Sequence, residues 1–205
     1  MLVLDHLAVS GDTVEEATAL CEEALGVSLL PGGQHPHFGT HNRLLGLADG
    51  LYLEAIAIDP NAPKPDYPRW FNLDQRTGPA RLTNWICRTE DMGVALGSLP
   101  TSAGVPVPLS RGDLAWEMAV PQDGLLPFDN LHPALIQWHC DTHPADMLPA
   151  SGCRLLRLTV SHPDAITLKT ALAPHLTDDR VAFEIDSTPA LTAEFDTPGG
   201  RRTLT

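Results

Sequence analysis

Two polar residues interrupt apolar, strand-like runs: His6 in LDHLAV and Glu54 in LYLEAI. Side chains alternate across a strand, so each shares a face with its neighbours two residues away. A carboxylate on a core-facing strand costs free energy unless it is paired or bound to a metal. An imidazole and a carboxylate on neighbouring strands therefore make either a divalent metal site or an acid–base pair. Two plainer readings compete: Glu54 faces solvent from an edge strand, or the two residues form a purely structural hydrogen bond. A second cluster, Gln34-His-Pro-His-Phe-Gly-Thr-His-Asn42, contains His35, His37 and His41. His35 and His37 lie in a Gly/Pro stretch, where polar residues are ordinary, and are read as loop residues. His41 and Asn42 begin the strand that leads to Glu54 and are the better pocket candidates. Arg43, on the same strand, could hold a carboxylate in bidentate fashion.

The elements that must position these residues are legible in outline. Leu2 to Ser10 reads as a strand. Thr13-Val-Glu-Glu16 is a capping box, and Val14, Ala17, Cys21, Ala24 and Leu25 then share one helical face until Gly26 stops the helix. Val27–Leu30, Asn42–Leu47 and Leu51–Ile58 read as strands, the last two joined at Asp49-Gly50. The order is β-α-β-β-β. A Pro-rich stretch, Asp59 to Pro79, breaks the pattern and holds Trp70 and Phe71, which suggests a strap packed onto the body. The pattern returns with strands at Arg81–Cys87, Val105–Ser110, Leu114–Val120 and Ala134–Cys140, and a helix near Thr89–Leu99. A third copy has strands at Cys153–Val160, Val181–Ile185 and Leu191–Phe195, with a helix from Pro163 to Ala173. Setting LDHLAVSGD beside LTNWICRTE matches His6 with Asn84. Setting LYLEAIA beside ALIQWHC matches Glu54 with Gln137. In the third copy the matching residues are Arg157 and Glu194. Strand alternation turns Trp85 and Trp138 away from the face of Asn84 and Gln137, so the tryptophans read as packing. His139 shares the Gln137 face and becomes a pocket candidate.

The segments LDHLAV, GTHNRLL and DGLYLEAIAIDP resemble the glyoxalase-like domain proteins of the vicinal oxygen chelate superfamily. The resemblance is specific over Leu4–Pro60 and looser over Leu82–Cys140. It implies an α+β fold of repeated βαβββ modules, curled into a cup-shaped half-barrel of mixed sheet with helices outside. Modules of residues 1–60 and 81–149 would pair across a linker of 61–80, with residues 150–205 as a shorter third repeat. Site residues implied by position are His6 and Glu54 from the first module and Asn84 and Gln137 from the second. The resemblance further implies one divalent metal ion held by His6, Glu54 and Gln137, with a metal-free pocket as the alternative. Asn84 and Gln137 depart from the superfamily's metalloenzymes, being neutral amides where stronger ligands are usual. His41, Asn42, Arg43, Asn84 and His139 are the expected substrate contacts.

Composition narrows the function classes. The 205 residues carry a formal net charge of −13 and 43% hydrophobic residues, enough to build a core. Such a surface repels phosphate backbones and anionic lipid, so no nucleic-acid or membrane partner is expected. No apolar run approaches the ~20 residues of a membrane helix. Cys21, Cys87, Cys140 and Cys153 are scattered and read as core residues in a reducing, cytoplasmic setting. No P-loop, GxGxxG, GxSxG or HExxH motif occurs. The expectation is an enzyme of lyase, isomerase or dioxygenase type acting on a small oxygenated metabolite. Glu54 would serve as ligand or base and His6 as ligand or acid. The alternative is a non-catalytic protein that sequesters a small compound in the same cup; a third is an assembly scaffold. A homodimer is a further expectation.

Overall fold

The computed structural model describes all 205 residues. The first unit comprises β1 (Val3–Ser10), α1 (Val14–Leu25), β2 (Leu30–His35), β3 (Thr40–Gly46) and β4 (Tyr52–Ile58). The second comprises β5 (Arg81–Arg88), α2 (Met92–Ser98), β6 (Val105–Arg111), β7 (Leu114–Val120) and β8 (Ala134–Trp138). A short helix, α3 (Pro144–Met147), leads into β9 (Arg154–Ser161), α4 (Ala165–Leu172), β10 (Val181–Glu184), β11 (Ala190–Thr197) and β12 (Gly200–Leu204). No helix is long and apolar enough to cross a membrane.

Eight strands form one curled, open sheet in the order β2-β3-β4-β1-β5-β8-β7-β6. Each half repeats one plan: its first strand pairs in parallel with its last, β1 with β4 and β5 with β8. The halves join where β1 and β5 pair antiparallel. The fold is the expected α+β half-barrel. The third unit keeps the element order but not the sheet. It builds a separate four-stranded sheet, β10-β9-β11-β12. There Arg157 does lie opposite Glu194, but across an antiparallel pair, whereas His6 and Glu54 sit on parallel strands.

Local chemistry explains the element ends. The Thr13 hydroxyl accepts from the Glu16 N–H at 3.1 Å, and the Glu16 carboxylate accepts from the Asp12 N–H at 3.1 Å. Gly26 ends α1 with φ of 71°, a conformation that costs glycine little. The second strand begins at Leu30, later than Val27, because the Glu22 carboxylate ties down the Leu29 N–H at 2.8 Å. Its sequence, LPGGQH, has no apolar alternation. It is a strand by pairing with β3, at a sheet edge where Pro31 is tolerated. The convex side of the sheet carries α1 and the small sheet; Trp85, fully buried there, packs edge-on to Phe183. The concave side holds the site.

Candidate functional site

On the concave side, β1, β3 and β4 supply one wall of a pocket and β7 and β8 the other, with Trp70 and Phe71 of the strap over it. His6 stacks on Tyr52, its cross-strand partner, with ring centroids 4.2 Å apart. Glu54 lies opposite Ala8, whose small side chain leaves the carboxylate room to lean toward His6. His6 Nε2 and Glu54 Oε2 are 3.7 Å apart, within ion-pair reach but too far for a hydrogen bond. Both residues are buried. Glu54 is on an interior strand, so the solvent-facing edge reading does not apply.

Each member of the pair has its own holder. His6 Nδ1 donates to Asp5 Oδ1 at 2.7 Å. Sequence neighbours should face opposite ways; an irregularity in the β1–β5 register between Leu4 and His6 brings these two to one side. Asp5 also accepts from His143 Nε2 at 2.9 Å and from the Trp138 indole at 3.1 Å. Burial alone would raise the Asp5 carboxyl. The hydrogen bonds and charge of His143 and His6 outweigh that and hold it well below the usual carboxylate range. An ionised Asp5 holds a proton on Nδ1 of His6 and turns Nε2 to the pocket. Glu54 Oε1 accepts from the Asn42 amide at 2.5 Å.

A third layer lies behind Asn42. His35 Nδ1 donates to the Thr40 hydroxyl at 3.0 Å, which leaves Nε2 as an acceptor for Arg111, 3.3 Å away. Burial, and then the positive charge of Arg111 beside it, push the His35 pKa down to about 3, so the ring is neutral. Arg111 ends β6, at the far edge of the sheet, and reaches across the mouth of the cup to Gly33, His35 and Asn42. The pocket beneath has room for only about 30 Å³ of solvent, a water or two. Beyond Arg111, Leu44 and Pro144, which line both spaces, opens a wider cleft of about 770 Å³. A metabolite-sized occupant therefore requires Arg111 or the strap to move aside.

A paired-module half-barrel with its polar pair facing the concavity is the arrangement the sequence resemblance implies, and the family's sequence profile, described as a glyoxalase-like domain, matches residues 4–176. The chain belongs to the glyoxalase-like domain family. A hypothetical protein from Staphylococcus aureus shares 13% identity at a TM-score of 0.61, over 93% of this chain and 88% of that one. A Mn(II)-bound glyoxalase from Novosphingobium aromaticivorans shares 10% identity at a TM-score of 0.48, over 98% of this chain and 81% of that one. Methylmalonyl-CoA epimerase from Mycobacterium tuberculosis shares 16% identity at a TM-score of 0.43, over 68% of this chain and 88% of that one. Likeness at such identities speaks to fold alone. No curated protein sequence matches the chain.

Within this glyoxalase-like cup, the expected site residues divide. His6, Glu54 and Asn42 meet at one place. His41 and Arg43 flank Asn42 on the strand and so point to the other face, outside the pocket lining. Asn84 shares the face of Ala8 but exchanges 3.4 Å contacts with Asn130, under the strap, and does not reach the pocket. Gln137 does not reach it either: its side chain accepts from the Met92 N–H at 2.7 Å and caps α2 on the outer side. His139 lies half-exposed beside Glu117. The residues facing the pocket from β8 are Ile136 and Trp138. A slip of one residue in matching the strands exchanges the two faces, which is how Trp138 comes to be read as packing and Gln137 as a ligand. His35 is a pocket wall and not a loop residue. His37 does lie outside, stacked on Tyr67. Tyr52 and Arg111 are additions. Tyr52 shares the Glu54 face by simple alternation and is readable; nothing local marks Arg111.

A divalent ion fits these residues poorly. His6 Nε2 and the Glu54 carboxylate could both ligate, but no third His, Cys, Asp or Glu joins them in an arrangement that would hold a metal. The opposing wall offers Trp116, Met118, Ile136 and Trp138, and Asn42 turns its N–H, not its oxygen, toward Glu54. Catalytic zinc sites keep three protein ligands.

Proposed function

We propose that the cup is the active site of a proton-transfer enzyme of isomerase or lyase type acting on a small carbonyl compound. The observation that carries this reading is the buried His6–Glu54 pair, 3.7 Å apart, each member held by a separate partner. Glu54 removes a proton from the carbon beside the carbonyl: the C–H bond breaks and an O–H bond forms on Glu54. The electron pair moves into a C=C bond and the carbonyl electrons move onto oxygen. His6, protonated, donates from Nε2 to that oxygen, and Asp5 keeps the ring aligned and stabilises its charge. Return of the proton to another carbon or face gives an isomer; expulsion of a group from the adjacent carbon gives a lyase product. The apolar wall keeps water out and strengthens both contacts.

The test is exchange. Small ketones and oxo acids incubated with the protein in D₂O should lose specific C–H signals in the NMR spectrum, and Glu54→Gln should stop the loss. If no compound exchanges with wild type while some bind, the cup sequesters its ligand without chemistry.

A further inference from the structure

The geometry points to a substrate that carries a carboxylate, anchored by Arg111 and the indole N–H of Trp70. This rests on the proton-transfer reading for the reaction, but its evidence is separate. The chain has a net charge of −13, and six of its eleven arginines are in ion pairs: Arg69 with Asp74, Arg76 with Asp12, Arg88 with Asp5, Arg154 with Asp49, Arg157 with Glu184 and Arg180 with Asp178. Of the remaining five, Arg111 alone lines the cup. Arg111, at the mouth of the cup, hydrogen-bonds only to the neutral Nε2 of His35 and the Asn42 side-chain amide oxygen, at 3.3 and 3.5 Å. It takes part in none of the molecule's ion pairs. A partly buried guanidinium facing a pocket without a counter-ion is a site for an anion, because its fork of donors matches a carboxylate.

Trp70 supplies the second, independent sign. It lines the same pocket, is 4% exposed, and its Nε1 has no acceptor anywhere in the molecule. Buried donors are ordinarily satisfied, so an orphan beside a pocket calls for an acceptor from outside. Trp70 packs edge-on to His35 at 5.1 Å, and Arg111 sits on the other nitrogen side of that ring. Trp70 and Arg111 thus both neighbour His35 in the lining of one pocket. Arg111 also lines the outer cleft, so an anion entering that way meets it first. Once Arg111 swings from His35 to receive it, a carboxylate held there would present the neighbouring carbon toward Glu54, and the guanidinium would offset the repulsion between the two anionic groups.

Malonate and malonamide test this apart from the reading it rests on, since they share a skeleton but differ in charge. Tryptophan fluorescence, with Trp70, Trp116 and Trp138 at the pocket, reports binding to protein stripped with chelator and desalted. Malonate should bind at least tenfold more tightly than malonamide. Arg111→Met should erase the difference and Arg111→Lys should restore part of it, while Glu54→Gln should retain malonate binding. Equal binding of the two probes to wild type overturns the anchor, whether or not the Arg111 variants fold. So does a preference that survives Arg111→Met. Exchange in the panel of ketones and oxo acids reports on the reaction separately: malonate preference without exchange of any of them keeps the anchor and removes the proton-transfer reading. Exchange without malonate preference does the reverse.

Discussion

The two halves of the large sheet share one plan and reach the same pocket with different chemistry, the second half adding one charge, Arg111, at the mouth. From β1, β3 and β4 come His6, Asn42, Tyr52 and Glu54; from β7 and β8 come Trp116, Met118, Ile136 and Trp138. One wall carries the groups that can exchange a proton. The other is an apolar surface that lowers the local dielectric around them. The walls are tied by Asp5, which orients His6 from one side and receives the Trp138 indole from the other. Two halves on one backbone plan need not carry the same chemistry: in this chain the asymmetry lies in which residues alternate inward.

The division of labour predicts unequal responses to mutation. Glu54→Gln removes the base while keeping shape and the Asn42 contact, and should lower turnover of any identified substrate by roughly 10²–10⁴-fold, the usual range for a positioned acid or base. Trp138→Phe or Met118→Leu should change KM by a few fold and kcat little. Steady-state kinetics on both sets checks this, and comparable kcat losses from the two walls would break the asymmetry.

The next effect is on stability. Asp5 is fully buried and receives His6, His143 and Trp138. Asp5→Asn leaves at least one of these donors facing another donor, and should cost about 3–5 kcal/mol in urea unfolding, the range for breaking a buried charged network from one side. His139→Ala, on the exposed side of the same strand end, should cost less than about 0.5 kcal/mol. A mild Asp5→Asn phenotype would mean the two walls are not coupled through this carboxylate.

Fold and site were legible to different depths for a physical reason. Apolar runs, the Thr13 cap and Gly26 report local preferences and give the repeated element order, and the half-barrel was implied by the resemblance to the glyoxalase-like proteins. His6 and Glu54 stood out because a titratable group in an apolar strand is costly. Facing direction is harder. It changes with every residue, so a strand match wrong by one sends Gln137 inward and Trp138 outward, and neighbouring His41 and Asn42 cannot both face the pocket. Arg111 and His35 were beyond reach for another reason: the closing of the two sheet edges across the cup brings them together, and no local pattern encodes it.

Acid should weaken the polar wall before the apolar one. His35 has a folded pKa of about 3 against about 6.5 for free histidine. Between those values the unfolded chain binds a proton that the folded chain refuses, so stability falls as pH drops from about 6.5 toward 3, at up to about 1.4 kcal/mol per pH unit. His132, also buried and shifted down, acts in the same direction. Asp5, depressed in the folded state, adds its own loss only below about pH 4, where the unfolded carboxylate takes up its proton. Urea unfolding from pH 7 to 4 should show this limb, and His35→Gln should reduce its slope without abolishing it. An unchanged slope would mean His35 titrates freely.

The smallest predicted effect is with metal, and it tests the apolar wall directly. A divalent ion at 100 times its Kd would add about 2.7 kcal/mol to the folded state. For a chain of this size that is a rise of several degrees, at roughly 2–4 °C per kcal/mol. His6 and Glu54 are two donors where a catalytic site keeps three, and Gln137 is occupied at the start of α2. Mn²⁺, Ni²⁺ or Zn²⁺ should therefore move the wild-type Tm by less than about 1 °C. Placing a donor on the opposing wall, as in Ile136→Glu or Met118→His, should install a shift of several degrees that His6→Ala then removes. A multi-degree shift already present in wild type and lost in His6→Ala or Glu54→Ala would overturn the contrast between the walls, since the missing ligand would have to come from a rearranged second half. If Gln137→Ala alone removed that shift, β8 would have to turn its other face to the pocket when metal binds.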